Sequence, residues 1–143
     1  MWDPWDTEMD RMEKTQIMLV DDEERFLVTT SKFLVRKGYQ VVTATSGAKA
    51  LQQLNEGSIH VVVLDVKMPD MDGITTLKEI KRRFPDVEVI LLTGHATLES
   101  AVEGLNAGAC DYLMKPCDLD ELARKAQEVF EKRQRLKRDP GAA

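Results

Sequence analysis

The stretch "IMLVDDEERF", Ile17 to Phe26, runs four apolar residues straight into four acids, Asp21, Asp22, Glu23 and Glu24. With Gln16 in front, "QIMLV" (16–20) has the length and composition of a buried strand. Downstream, "EERFLVTTSKFLVRKG" (23–38) sets Phe26, Leu27, Phe33 and Leu34 at helical spacing and closes on Gly38. A strand that ends in a burst of negative charge and turns into a helix is one unit. The rest of the chain repeats that unit.

"YQVVTA" (39–44) is β-branched and aromatic, and reads as a second strand. "SGAKALQQLNEG" (46–57) opens on a capping Ser46 and closes on Gly57, a helix. "IHVVVL" (59–64) is a nearly continuous apolar strand. "GITTLKEIKRRF" (73–84) is a helix stopped by Pro85. "VEVILL" (87–92) is the fourth strand, and "ATLESAVEGLNAGA" (96–109) a helix ending near Gly108. "CDYLM" (110–114) is the fifth strand, and "DLDELARKAQEVFEKRQRLKR" (118–138) a long last helix. Strict alternation predicts an α/β fold, a five-stranded parallel sheet flanked by helices. The flavodoxin-like strand order 2-1-3-4-5 is the leading topology, with the site beyond the carboxyl ends of strands one and three.

Bulk properties fit one soluble domain. The 143 residues suffice for a real core. Hydrophobic residues make up 43% and charged residues 31%, with a net charge of -5. That charge argues against a direct nucleic-acid binder. No apolar run approaches the roughly 20 residues of a membrane span, so no membrane contact is expected. The acidic "MWDPWDTEMDRMEK" lacks the apolar core of a signal peptide. Cys110 and Cys117 fit neither zinc nor redox spacing, and two free, packed thiols in a reducing cytoplasm are expected. The expected division is an N-terminal arm over 1–14 carrying Trp2 and Trp5, a domain over 15–138, and a tail over 139–143. The basic end of the last helix reads as a solvated face rather than a nucleic-acid patch. A second domain is not expected within these 143 residues, which fits a stand-alone unit or a piece of a longer chain.

The chemistry sits at the strand ends. Strand one ends at Asp21 and Asp22, strand three at Asp65, strand four at Thr93 and strand five at Lys115–Pro116. Each residue has a plain structural use. Acids favour the start of a helix, Asp65 can begin a turn, Thr93 can cap a helix and Lys115 can sit on the surface. The arrangement as a whole says more. Three carboxylates in one crevice repel one another. A hard divalent cation that prefers oxygen, such as Mg²⁺, resolves the repulsion. A carboxylate flanked by such a cation and an ammonium can attack phosphorus and form an acyl phosphate.

"MLVDDEE", "VVVLDVKMPDMDG", "VILLTGHA" and "DYLMKPCDLDEL" resemble, in that order, the receiver domain of bacterial two-component response regulators, over roughly residues 15–136. The resemblance implies that Asp65 takes a phosphoryl group from a sensor histidine kinase or a phosphotransfer protein. Asp22 would ligate Mg²⁺ directly, with Mn²⁺ able to substitute, and Asp21 would assist, often through water. Lys67 would lend its backbone carbonyl. Thr93 would be the switch hydroxyl, Tyr112 the switch aromatic and Lys115 the partner of the phosphoryl group, followed by a cis peptide at Pro116. A half-buried strand aromatic is the plain use of Tyr112. Movement of Thr93 and Tyr112 would reshape the face of the fourth helix, fifth strand and fifth helix, where a homodimer or a target can form.

Glu23 and Glu24 are expected as first-turn helix acids, Asp70 as a loop residue, and Asp72 as an N-cap after a turn stiffened by Pro69. Lys67 and His95 are placed to overhang the acyl phosphate. Two other classes stand against the receiver. One is a phosphorylation-independent interaction module on the same fold. The other is an enzyme with an aspartyl nucleophile; such enzymes often carry a second acid two positions on, where this chain has Lys67, so turnover of an external substrate is not expected.

Overall fold

A computed structural model describes residues 15–67, 72–94 and 98–138. The arm with Trp2 and Trp5, the turn residues Pro69 and Asp70, His95 and the tail 139–143 lie outside the described residues. The elements alternate as β1 (Gln16–Val20), α1 (Glu24–Arg36), β2 (Gln40–Ala44), α2 (Gly47–Leu54), β3 (Val61–Asp65), α3 (Gly73–Arg83), β4 (Glu88–Thr93), α4 (Leu98–Asn106), β5 (Asp111–Met114) and α5 (Leu119–Arg138). The strands form one sheet in the order β2-β1-β3-β4-β5, and every pairing is parallel.

Side-chain alternation along the strands splits the core in two. Met18, Val20, Val62, Leu64, Val89 and Leu91 face α2 and α3, meeting Leu51, Leu54, Leu77 and Ile80. Ile17, Leu19, Val61, Val63, Ile90 and Leu92 face α1 and α5, meeting Leu27, Leu34, Leu122 and Ala126. Both faces of the central strands are covered, so β3 and β4 read as almost continuous apolar runs. Leu34 and Leu122 are fully buried, and truncating either to Ala costs about 2–5 kcal/mol.

The helix ends obey the expected signals. Gly38 takes φ 102, and Tyr39 N–H reaches back to the Leu34 carbonyl, 3.1 Å, to close α1. The Ser46 hydroxyl accepts from Lys49 N–H, and the Asp72 carboxylate accepts from Ile74 N–H. Two boundaries differ in a way that bears on function. β3 and β4 each run one residue further than the apolar pattern indicates, so Asp65 and Thr93 are themselves strand residues. Their backbones are held by the ladder rather than by a loop. At the other end, β3 begins at Val61, and the preceding His60 is bonded to Gln16 twice: its N–H donates to the Gln16 carbonyl, 3.0 Å, and its Nδ1 accepts from Gln16 N–H, 3.0 Å.

The cysteines are both free, but only one is packed. Cys117 lies half-buried against the α1/α5 side of the core, whereas Cys110 is exposed, its thiol donating to the Val89 carbonyl. Cys110 stands just before β5, the edge strand of the sheet among the described residues.

Candidate functional site

The strand order brings the ends of β1 and β3 side by side, with Val20 in register with Leu64. The next residue on each strand is Asp21 and Asp65. Asp21 N–H adds one more bond to β2 through the Ala44 carbonyl, 3.1 Å, which fixes its backbone. Its carboxylate is fully buried and accepts from Glu23 N–H through Oδ1, 2.8 Å. Glu23 is the N-cap of α1 rather than a first-turn residue and makes no side-chain cap bond, while Glu24 is in the first turn as expected. The turn into the helix is therefore made by Asp21, one of the acids with a plain capping use in the sequence.

Asp65 is 5% exposed, and its Oδ1 accepts from Lys67 N–H, 3.2 Å. Asp21, Asp22 and Asp65 each offer a carboxylate oxygen within 4.8 Å of the others, with Asp22 exposed and the other two buried. The predicted crowding is real. Burial, reinforced by the charges of Asp21 and Asp22, pushes the Asp65 carboxyl up to about 6, against the pull of Lys115 and the Lys67 amide.

Lys115, just beyond β5, reaches into this cluster. Its ammonium pairs closely with Asp21 Oδ2 and lies 3.9 Å from Asp65 Oδ2. Burial works against its charge, but the bond to Asp21 and the charges of Asp65, Asp21 and Glu23 outweigh it and raise its pKa. Of the two acids Lys115 meets here, Asp21 is the nearer partner and Asp65 the more distant one. The Lys115–Pro116 peptide is cis. The same ammonium also lies 4.5 Å from the centroid of the Phe26 ring. From sequence, Phe26 reads only as a core-facing helix residue. Its place five residues after Asp21, one turn into the helix behind the acids, is the available signal.

Thr93 ends β4, next to β3, and is 3% exposed. Its hydroxyl is buried with no hydrogen-bond partner among the described residues. A hydroxyl left unpaired inside a protein is costly, so this one invites an acceptor. Tyr112, in register with Leu91, is half-buried against the α2/α3 side of the core. Lys67 is exposed.

A residue that the sequence shows only as the neighbour of an N-cap also shapes the site. A Cβ on Gly73 would stand 2.6 Å from both the Asp65 carbonyl oxygen and the Val66 Cα. Gly73 N–H instead donates to the Val66 carbonyl, 3.1 Å. α3 therefore begins pressed against the backbone that carries Asp65.

The donor set fits a hard divalent cation. All the donors are oxygen, two of the acids are buried, and opposite ligands on one Mg²⁺ stand about 4.2 Å apart, close to the 4.8 Å limit within which the three oxygens already lie. By contrast, the groove between α3 and α4, lined by Lys78, Glu99, Val102 and Asn106, contains none of these residues.

The family description "response regulator receiver domain" matches residues 17–127. The transcriptional regulatory protein ZraR of Salmonella typhimurium is 43% identical over 129 residues, which is 90% of this chain and 28% of that protein. The regulatory protein AtoC of Escherichia coli is 39% identical over 116 residues, 81% of this chain and 25% of that protein. The chain thus spans about a quarter of the length of these two relatives. Among solved structures, a response regulator receiver domain protein from Clostridium thermocellum superposes with a TM-score of 0.81 at 35% identity, covering 85% of this chain and 98% of that one.

Proposed function

Because this chain belongs to the family of response regulator receiver domains, we propose that Asp65 is the carboxylate that takes the phosphoryl group from a sensor histidine kinase or a phosphotransfer protein. The observation that carries this is the buried Asp65 carboxylate, flanked within 4.8 Å by Asp21 and Asp22 and approached by Lys115. With its pKa near 6, Asp65 is mostly ionised at neutral pH and able to act as a nucleophile. Its oxygen attacks phosphorus, the bond from phosphorus to the donor nitrogen breaks, and the electron pair leaves with the imidazole.

Asp21, Asp22, Asp65 and the Lys67 carbonyl would hold Mg²⁺, or Mn²⁺ in its place, which supplies charge neutralisation at the phosphoryl oxygens. The chain's own groups do the rest. Thr93 donates its unpaired hydroxyl to the new phosphoryl oxygens. Lys115 shifts from Asp21 toward them as a point charge. The space Thr93 leaves lets Tyr112 turn inward. The face that responds carries Val102 and Leu105 on α4 and Met114 on β5, all exposed apolar residues. A second copy or an output partner would bind there.

The working unit is residues 15–138, with 1–14 and 139–143 as arm and tail. It catalyses only its own phosphorylation and dephosphorylation, in the cytoplasm. Among the described residues, no helix is long and apolar enough to cross a membrane. The name of ZraR speaks of transcriptional regulation, so the expectation of no direct nucleic-acid contact extends only to this receiver portion. Mass measurement after incubation with acetyl phosphate and Mg²⁺ tests the reading. One added phosphoryl group, absent from Asp65→Asn, is expected. Phosphorylation of Asp65→Asn at the wild-type rate would move the acceptor elsewhere, and no phosphorylation of the wild type would favour an interaction module.

A further inference from the structure

We propose that Phe26 is a positioning residue for Lys115, holding its ammonium against the phosphoryl-accepting pocket through the face of the aromatic ring. This rests on the function proposed above for Asp65. Among the described residues, the ammonium lies against Asp21 Oδ2, Asp65 Oδ2 at 3.9 Å and the Phe26 ring, its centroid at 4.5 Å. An ammonium within about 6 Å of a ring centroid is attracted by the negative face of the quadrupole. Lys115 is only 20% exposed at its side chain, so little water competes for the contact.

The geometry gives the ring a use that packing alone does not explain. Phe26 is half-buried and packs against the α1/α5 side of the core near the start of α1. The core therefore fixes the ring while it stands beside the ammonium. Asp21 is itself fixed by the Glu23 amide and cannot move with the ammonium when its partner changes. A lysine on a flexible stem that leaves Asp21 would otherwise regain its full rotamer freedom. The ring attracts without a directional bond. It keeps the charge beside the pocket in either pairing and does not compete with a phosphoryl oxygen for a donor. Phe26 thus acts through Lys115, limiting its excursions while the charge it neutralises is forming.

The test replaces Phe26 in the full chain with a series of phenylalanines carrying one, two and three ring fluorines. Fluorination drains the ring face while nearly preserving shape. The rate of phosphorylation by acetyl phosphate should fall stepwise, by about threefold to tenfold across the series, with Phe26→Leu at or below its lower end. An upfield shift of the Lys115 ε-methylene protons, present in the wild type and lost in Phe26→Leu, reports the contact without phosphorylation. If the wild type is phosphorylated on Asp65 but the rate is flat across the series, Phe26 only packs and the proposal falls alone. If the wild type takes no phosphoryl group, the reading of Asp65 falls and takes this proposal with it.

Discussion

Asp65→Asn should stabilise the protein in chelator at about pH 7.5. The carboxyl moves from 3.8 in the unfolded chain to about 6 in the fold, and each unit corresponds to about 1.4 kcal/mol, so the ionised group costs the fold up to about 3 kcal/mol. The amide keeps the bond from Lys67 N–H, which is 3.2 Å in the wild type. Its new N–H groups need partners, and a poor match gives back about 1 kcal/mol. The expected gain is therefore about 1 to 3 kcal/mol. The raised pKa means that the folded state holds its proton more tightly than the unfolded chain does. The penalty is absent below about pH 4, builds as pH rises toward 6 and is complete above it. The advantage of the variant should run the same course. His60 moves in the opposite sense, because burial and then Lys137 lower its pKa, and a proton on Nδ1 would break the bond from Gln16. The stability it contributes is present above about pH 6.5, where the unfolded chain is neutral too, and is lost as pH falls from there through the lowered folded-state value, but it is common to both proteins and cancels at each pH. Urea melts of wild type and variant from about pH 4 to 8 give the difference directly. Mg²⁺ at a hundredfold excess over its dissociation constant should add about 2.7 kcal/mol to the wild type and clearly less to the variant. A variant less stable than wild type in chelator at neutral pH, or a gap that ignores pH, would refute the crowded-carboxylate account.

Thr93→Val keeps the shape but removes a buried hydroxyl that has no partner among the described residues. Stability should hold or rise by about 1 kcal/mol, while the change in Tyr112 fluorescence or ring resonance on phosphorylation is lost. Gly73→Ala should cost about 1–3 kcal/mol, because its Cβ meets backbone atoms that cannot yield cheaply; it should also slow phosphorylation of Asp65, and an unchanged melt would contradict the close approach. Lys67→Ala should shorten the life of the acyl phosphate, measured as phosphate release after the donor is removed, because a bulky side chain beside it hinders in-line attack by water. Equal decay rates would leave only the Lys67 backbone in the site.

The sequence displays the sheet because a parallel strand covered on both faces is written as an apolar run, and each run here stops at a helix signal. It displays Asp21, Asp22, Asp65, Thr93 and Lys115 because each stands directly behind such a run. Register is harder to see. That Asp65 and Thr93 close the ladders rather than open the loops depends on neighbouring strands, which no local pattern records. Gly73 and Phe26 are hidden for a related reason. A glycine after an N-cap looks the same whether or not a backbone passes 2.6 Å from its missing Cβ, and a phenylalanine at core spacing does not announce that a lysine from the far end of the chain lies beside its ring. The nearer partner of Lys115 is equally illegible, since two acids of the same crevice compete for it and only their burial and distance decide.

That competition shapes how the switch can work. Asp21 is fully buried, and Lys115 is its close cationic partner in the pocket. Taking one partner away from a buried ion pair leaves an uncompensated charge, typically costing about 3–5 kcal/mol. On the proposed function, a phosphoryl group on Asp65 would pull Lys115 away from Asp21, so phosphorylation alone would both add negative charge and strip Asp21 of its cation. The exchange is affordable only where a second positive charge already stands beside Asp21. The three-carboxylate cluster, with Asp22 exposed and Asp21 and Asp65 buried, is where such a charge would sit. On the function proposed above, the excess of acid over base in the resting pocket would tie transfer to Asp65 to a divalent cation, with Lys115 changing partners when the transfer is made.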